Sequence, residues 1–292
     1  MSQKIAVAII HGVGKQDPNF AGGMIDELTD RVAELLRGSS DDPAGEFVIE
    51  PVYWAPVLQE AEDRLWRRVK RGGALDFIAV RQFLIDFAAD AIAYQPTPRD
   101  RKIYDAIHRV VAQTLARLAR EAGPKAPLCV IAHSLGSVIA SNYFYDLEAA
   151  RRRRLLAAKV RRAIHDTPLE QGETLTLFYT LGSPIALWSL RYEDFGRPIP
   201  VPSPQLPEHF PGLAGEWLNF YDKDDIIGYP LRTLGDAYRE TVKKDCEVNV
   251  GGVFTSWNPA SHMAYWTDND VTKPIADALA RTWKAVNIGT RP

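Results

Sequence analysis

Several short runs of this chain are apolar almost throughout: Ile5 to Ile10 (IAVAII), Leu128 to Ala132 (LCVIA), Leu175 to Thr180 (LTLFYT) and Trp217 to Tyr221 (WLNFY). A strand wetted on one face alternates apolar and polar residues, so an unbroken apolar strand needs cover on both faces. Such cover comes from helices. Helical patterns occupy roughly 22–37, 57–71, 75–95, 100–122, 135–163 and 270–286, with Gly123-Pro124 stopping the fourth. Two further β-like runs, Phe47 to Trp54 and Glu247 to Val250, complete the alternation. The pattern predicts an α/β fold with a mostly parallel central sheet of about six strands flanked by helices.

The 292 residues are expected to form one domain, 1–292, because large α/β folds occupy this length undivided. Two stretches depart from the regular plan and are candidate cap inserts: the helical excursion 57–96 and the proline-rich segment 187–214. A formal net charge of −2 with 25% charged residues gives no long-range attraction to phosphate, which argues against a nucleic-acid partner. The two cysteines, Cys129 and Cys246, lie in or beside apolar runs and lack metal-ligand spacing, as expected of packing residues in a reducing compartment. MSQKIAVAIIHG reads as a first strand and not as a signal peptide. Phe77 to Tyr94 carries Arg81, Asp86 and Asp90 and so reads as a helix outside the membrane. A cytoplasmic location is expected. The basic run Arg151 to Arg154 reads as a solvated helix face, with peripheral contact to anionic lipid as the lesser reading.

The stretch CVIAHSLGSVIA, residues 129–140, holds Ser134 where a strand becomes a helix. A serine hydroxyl is a weak nucleophile unless a base takes its proton, a third group orients the base, and amides receive the developing oxyanion. A nucleophile elbow also needs small neighbours, which Gly136 and Ala132 supply. The bland alternative is a serine that merely caps a helix. His11-Gly12-Val13-Gly14, directly after the first strand, is the oxyanion loop candidate, with Val13 or Gly12 donating beside the amide of Leu135. It lacks the spacing of a P-loop, and Asp17 stands where a dinucleotide loop needs its third glycine.

Among Asp222, Asp224 and Asp225, which follow a predicted strand, Asp225 leads into Ile226-Ile227 and is expected to point inward as the acid. His262, after the last strand, fits the order nucleophile, acid, histidine that each follow a strand in this kind of site. Trp188, Tyr192 and Phe195 are candidates to line a substrate pocket, against the alternative that they only pack.

At these residues the chain resembles the α/β-hydrolase superfamily, and more narrowly bacterial lipase-like serine esterases and DDHD-type intracellular phospholipases A1. AHSLGSVIA is similar to their Ser-His-Ser-Leu-Gly-Ser elbow, which also lacks a first glycine, and LGSPIAL at 181–187 to their Gly-Ser-Pro strand end. DDIIGYPLRTL at 224–234 and SHMAYWTDND at 261–270 are similar to the acid and histidine segments. The resemblance implies a carboxylic-ester hydrolase with Ser134, Asp225 and His262 as its triad and a lipid ester as one possible substrate. The expected partner is a small-molecule or lipid ester, with no cofactor and no metal. The alternatives are an acyltransferase that uses the same acyl-enzyme and a non-catalytic binding module on the same fold.

Overall fold

The computed structural model describes residues 2–14, 16–71, 88–97, 99–153, 158–193, 196–250 and 261–289. Six strands form one parallel sheet: β1 Ile5–Ile10, β2 Phe47–Val52, β3 Leu128–His133, β4 Leu175–Leu181, β5 Glu216–Asp222 and β6 Lys244–Val248, in spatial order β2-β1-β3-β4-β5-β6. The helices are α1 Gly22–Leu35, α2 Pro56–Arg71, α3 Lys102–Ala122, α4 Leu135–Arg153, α5 Ala158–Arg161, α6 Ile185–Ser189, α7 Leu206–His209, α8 Asp236–Thr241 and α9 Asn269–Asn287, with a further helical stretch at 88–94.

The continuous apolar runs behave as their composition demands. In β1, Ala6, Ala8 and Ile10 face one core with residues of α3 and α4, while Ile5, Val7 and Ile9 face a second core with residues of α1 and α9. Successive side chains point to opposite faces, so each must be apolar when both faces are covered. The outer strands obey a different rule. β2 is only half-buried along most of its length and carries Pro51, and β6 carries Lys244, Asp245 and Glu247. Proline and charge belong at sheet edges, where backbone groups face outward and pairing with another chain must be discouraged.

That rule explains the main boundary difference. The sequence pattern places the last strand at 247–250, whereas Lys244–Val248 pairs with Leu218–Asp222. An edge strand does not need an apolar run, so hydrophobicity alone locates it three residues late. The helix expected over 135–163 is described at Leu135–Arg153 and again at Ala158–Arg161, with 154–157 outside the described residues, and α7 interrupts the proline-rich segment. Most of the helix expected at 75–95 lies outside the described residues, which resume at 88. Among the described residues, no helix is long and apolar enough to cross a membrane.

The chain leaves β1 toward β2 on one side, then crosses to β3 on the other. In open parallel sheets, ligands collect where the order reverses, outside the carboxyl ends of the flanking strands. Gly12 follows β1 at this point and Ser134 follows β3.

Candidate functional site

Ser134 is the only non-glycine among the described residues with a positive φ, +52°. An L-residue pays roughly 1–2 kcal/mol to sit there, and such strain persists only where surrounding contacts impose it. The contacts are visible. The Ser134 amide extends the β3–β4 ladder by donating to Leu181 O at 2.9 Å, while its own carbonyl already accepts Ser137 N at 2.9 Å in the first turn of α4. The residue is thus both the end of a strand and the start of a helix, which forces the turn. Gly136 lets that helix approach β1, since a Cβ there would lie 2.5 Å from His11 O and 2.8 Å from Ile10 O. Ala132 needs no such clearance; it pairs with Ile10 in the ladder, fully buried.

A continuous hydrogen-bonded chain starts from this serine. Ser134 Oγ lies 2.7 Å from His262 Nε2, and His262 Nδ1 lies 2.9 Å from Asp225 Oδ2. With Asp225 ionised, Nδ1 carries the proton and Nε2 is left to accept the serine hydroxyl. All three are buried, at 0%, 1% and 5% exposure. Burial by itself would raise the Asp225 pKa, but the hydrogen bond and charge of His262, the Ile227 amide at 3.0 Å and the Tyr265 hydroxyl at 2.9 Å hold it below the ordinary carboxylate value.

The three competing aspartates separate clearly. Asp224 is exposed in the turn. Asp222 is buried at the end of β5, where its carboxylate accepts Asp224 N at 2.8 Å and Val250 N at 2.7 Å. Only Asp225 reaches His262. The apolar pair that follows it is not what turns it inward: Ile226 is 66% exposed, and the amide of buried Ile227 caps the carboxylate.

The loop after β1 is held from both sides. His11 Nδ1 donates to Gly12 O at 2.8 Å, and its Nε2 accepts Trp54 N at 3.1 Å and Ala55 N at 3.2 Å. Burial pushes the His11 pKa down to about 3, against the Gly12 hydrogen bond that raises it, so the ring stays neutral and its bonds keep their direction. A trans peptide points its N–H opposite its C=O. Fixing Gly12 O on His11 therefore aims the Val13 N–H away from His11. Gly14 N donates to Asp90 Oδ2 at 2.9 Å, so the amides of Gly12 and Val13 are the loop's donors left without a partner among the described residues. Gly12 passes directly against the serine: a Cβ there would lie 2.5 Å from Ser134 Cβ and 3.2 Å from Ser134 Oγ. Leu135 N, at the start of α4, adds the positive end of a 19-residue helix.

Three supporting residues had no assigned role from sequence. Tyr265 accepts Asp222 N at 2.9 Å and donates to Asp225 at the same length, tying the acid to the end of β5. His133 donates from Nε2 to His262 O at 2.5 Å, so the residue before the serine holds the backbone of the histidine. Gly182, at φ +53°, clears space for the pair; a Cβ there would lie 2.8 Å from Asp225 Oδ2 and 3.1 Å from His262 Nδ1. Tyr265 and Gly182 lie within motifs visible in the sequence, but their partners are not.

Trp188 and Tyr192 line a cavity of about 240 Å³ along α4, together with Val138, Ile185, Ile199 and Tyr238. Phe195 lies outside the described residues. Among the described residues, no three His, Cys, Asp or Glu side chains converge as a metal site would require. Compared with known protein families, curated proteins and solved structures, the chain shows no significant match to any.

Proposed function

We propose that the protein is a serine hydrolase that cleaves carboxylic esters, with Ser134 as nucleophile, His262 as base and Asp225 as the group that orients and charges the imidazole. The observation that carries this reading is the Ser134–His262–Asp225 chain, with lengths of 2.7 and 2.9 Å, built on a strained elbow.

Ser134 Oγ attacks the ester carbonyl carbon as its proton passes to His262 Nε2. The oxygen of the tetrahedral intermediate takes negative charge and is received by the amides of Leu135 and of Val13 or Gly12. Collapse breaks the bond to the alcohol oxygen, which leaves with the proton from His262. Water then repeats the sequence on the acyl-enzyme and frees the acid. In a buried site these donors act at low dielectric, where they count for most.

Lipid esters are one class of substrate that the apolar cavity suits. The alternative is transfer of the acyl group to an alcohol, which uses the same acyl-enzyme with the alcohol in place of water. Both cysteines are free, consistent with the reducing cytoplasm in which we place the protein.

The test is hydrolysis of nitrophenyl esters over a range of acyl lengths by wild type and Ser134→Ala, with and without an acceptor alcohol. Turnover lost in the variant supports the reading, and alkyl ester formed with the acceptor supports transfer. No turnover at any length by folded wild type overturns both.

A further inference from the structure

The cavity along α4 is lined by a polar group, Asn142, whose orientation is set by a second relay separate from the first. Val138, one helical turn past Ser134, and Asn142, one turn further, both line the cavity, whereas Ser134 itself does not. The rise of 1.5 Å per residue places Asn142 roughly 12 Å along the helix from Ser134. A volume of about 240 Å³ is below that of pockets that engulf drug-sized ligands, so the space fits one arm of an ester.

Asn142 Nδ2 donates to Tyr94 Oη at 3.2 Å, and Tyr94 Oη lies 2.9 Å from His108 Nε2. On the far side of the ring, His108 Nδ1 faces Asp146 Oδ2 at 3.7 Å, and the same oxygen accepts the Tyr104 hydroxyl at 2.9 Å and lies 3.6 Å from Arg101. The order of protons follows from the charge. A carboxylate beside Nδ1 favours the N–H there, which leaves Nε2 as acceptor for the Tyr94 hydroxyl. Tyr94 Oη, having given its proton to His108, receives one from Asn142. The amide is therefore turned with its nitrogen inward, and Asn142 Oδ1, which accepts no hydrogen bond among the described residues, is left on the cavity side. Tyr94 and His108 are buried, and the Asn142–Tyr94 and Tyr94–His108 links are hydrogen bonds, while Asp146 acts on the far side of the ring at 3.7 Å through its charge alone.

We infer that the arm of the substrate lying along α4 carries a hydrogen-bond donor, a hydroxyl or an amide N–H, that is read by Asn142 Oδ1. Asn142 sets this specificity, and Tyr94, through His108 and Asp146, is the positioning residue that keeps the amide from turning over. The class of substrate is a hydroxyacyl or amidoacyl ester, with an unsubstituted alkyl ester as the poorer one. The inference rests on the reading of Ser134 as a nucleophile only in calling the ligand a substrate.

Binding to the Ser134→Ala protein tests it, because an ester bound there survives. Methyl octanoate is compared with methyl hydroxyoctanoates that carry the hydroxyl at successive positions, each titrated by calorimetry. One neutral hydrogen bond predicts a roughly five- to tenfold lower Kd for the best isomer over the plain chain. In Asn142→Leu on that background the ratio falls to about one, and in Tyr94→Phe it falls part of the way. Equal Kd values for all the esters, or a ratio that survives Asn142→Leu, overturns the inference. Should Asn142→Leu fold poorly, Asn142→Ala removes the same acceptor and gives the same readout. Cleavage of nitrophenyl esters by wild type is measured alongside: no cleavage with the ratio intact removes the hydrolase reading and leaves the cavity assignment, and cleavage without the ratio does the reverse.

Discussion

Two chains of carboxylate, imidazole and hydroxyl run through this molecule, Asp225–His262–Ser134 and Asp146–His108–Tyr94. In the first, acid and ring are 2.9 Å apart; in the second, 3.7 Å, with the carboxylate shared among Tyr104, Arg101 and His108. Burial pushes His108 down to about 3, with Arg101 adding to the shift, so that ring is a fixed neutral connector. Burial also drives the Tyr94 hydroxyl well above its usual range, which removes it as a nucleophile. Ser134, by contrast, sits on a strained turn at a helix start, beside amides that make no hydrogen bond among the described residues. The comparison teaches that the group types alone do not mark a reactive centre. Backbone strain, tight pairing and open donors separate the proposed nucleophile from a hydroxyl that only conveys orientation.

The largest break in that contrast comes from Ser134→Ala, which is expected to lower kcat/KM for nitrophenyl esters by at least about 10³-fold, whereas Tyr94→Phe changes the same quantity by less than about tenfold. Comparable losses in both variants would erase the distinction. Gly182→Ala strikes the Asp225–His262 pair directly. A methyl 2.8 Å from Asp225 Oδ2, on a backbone at φ +53°, forces the acid or the ring to move. Kinetics should show a loss of about 10²-fold in kcat, and thermal unfolding should show a cost of about 1–2 kcal/mol from the backbone alone.

Tyr265→Phe is subtler. It leaves Asp222 N without its acceptor and Asp225 with one donor fewer, so stability should fall by about 1–3 kcal/mol. Asp225 should then protonate at higher pH, and the acid limb of the kcat/KM profile should move up. An unmoved profile would reduce Tyr265 to a packing residue.

A pH dependence of stability, with no direct bearing on the two hydroxyls, is spread over three rings. His11, His108 and His133 are each held near pKa 3 by burial, below the unfolded value of 6.5. The folded protein keeps them neutral while the unfolded chain takes up protons below pH 6.5, so their contribution is complete above that value and is lost as pH falls toward 3. Each ring adds a slope of about 1.4 kcal/mol per pH unit within that window. Denaturation curves from pH 7 to 4 should therefore steepen in the acid direction, and His108→Gln should flatten them by about one proton.

The inner strands were legible in the sequence because β1, β3, β4 and most of β5 are covered on both faces and hence apolar in both phases of the pleat. β6 was misplaced for the converse reason, its charged edge. Ser134, Asp225 and His262 could be read from chain order, since each follows a strand. Tyr265, His133 and Gly182 could not, because their roles are contacts across the fold: His133 and His262 are 129 residues apart. The orientation of Asn142 is further still from local pattern, as it is set by Tyr94 and, behind it, His108, on two other segments.

The central claim is that Ser134 is a nucleophile activated by His262, and covalent capture tests it most directly. A fluorophosphonate probe is incubated with wild type, Ser134→Ala and His262→Ala, and the adduct is located by peptide mass spectrometry. The account predicts one adduct per chain in wild type, on Ser134, absent from Ser134→Ala and formed far more slowly in His262→Ala. An unlabelled wild type, or label that persists in Ser134→Ala, contradicts it.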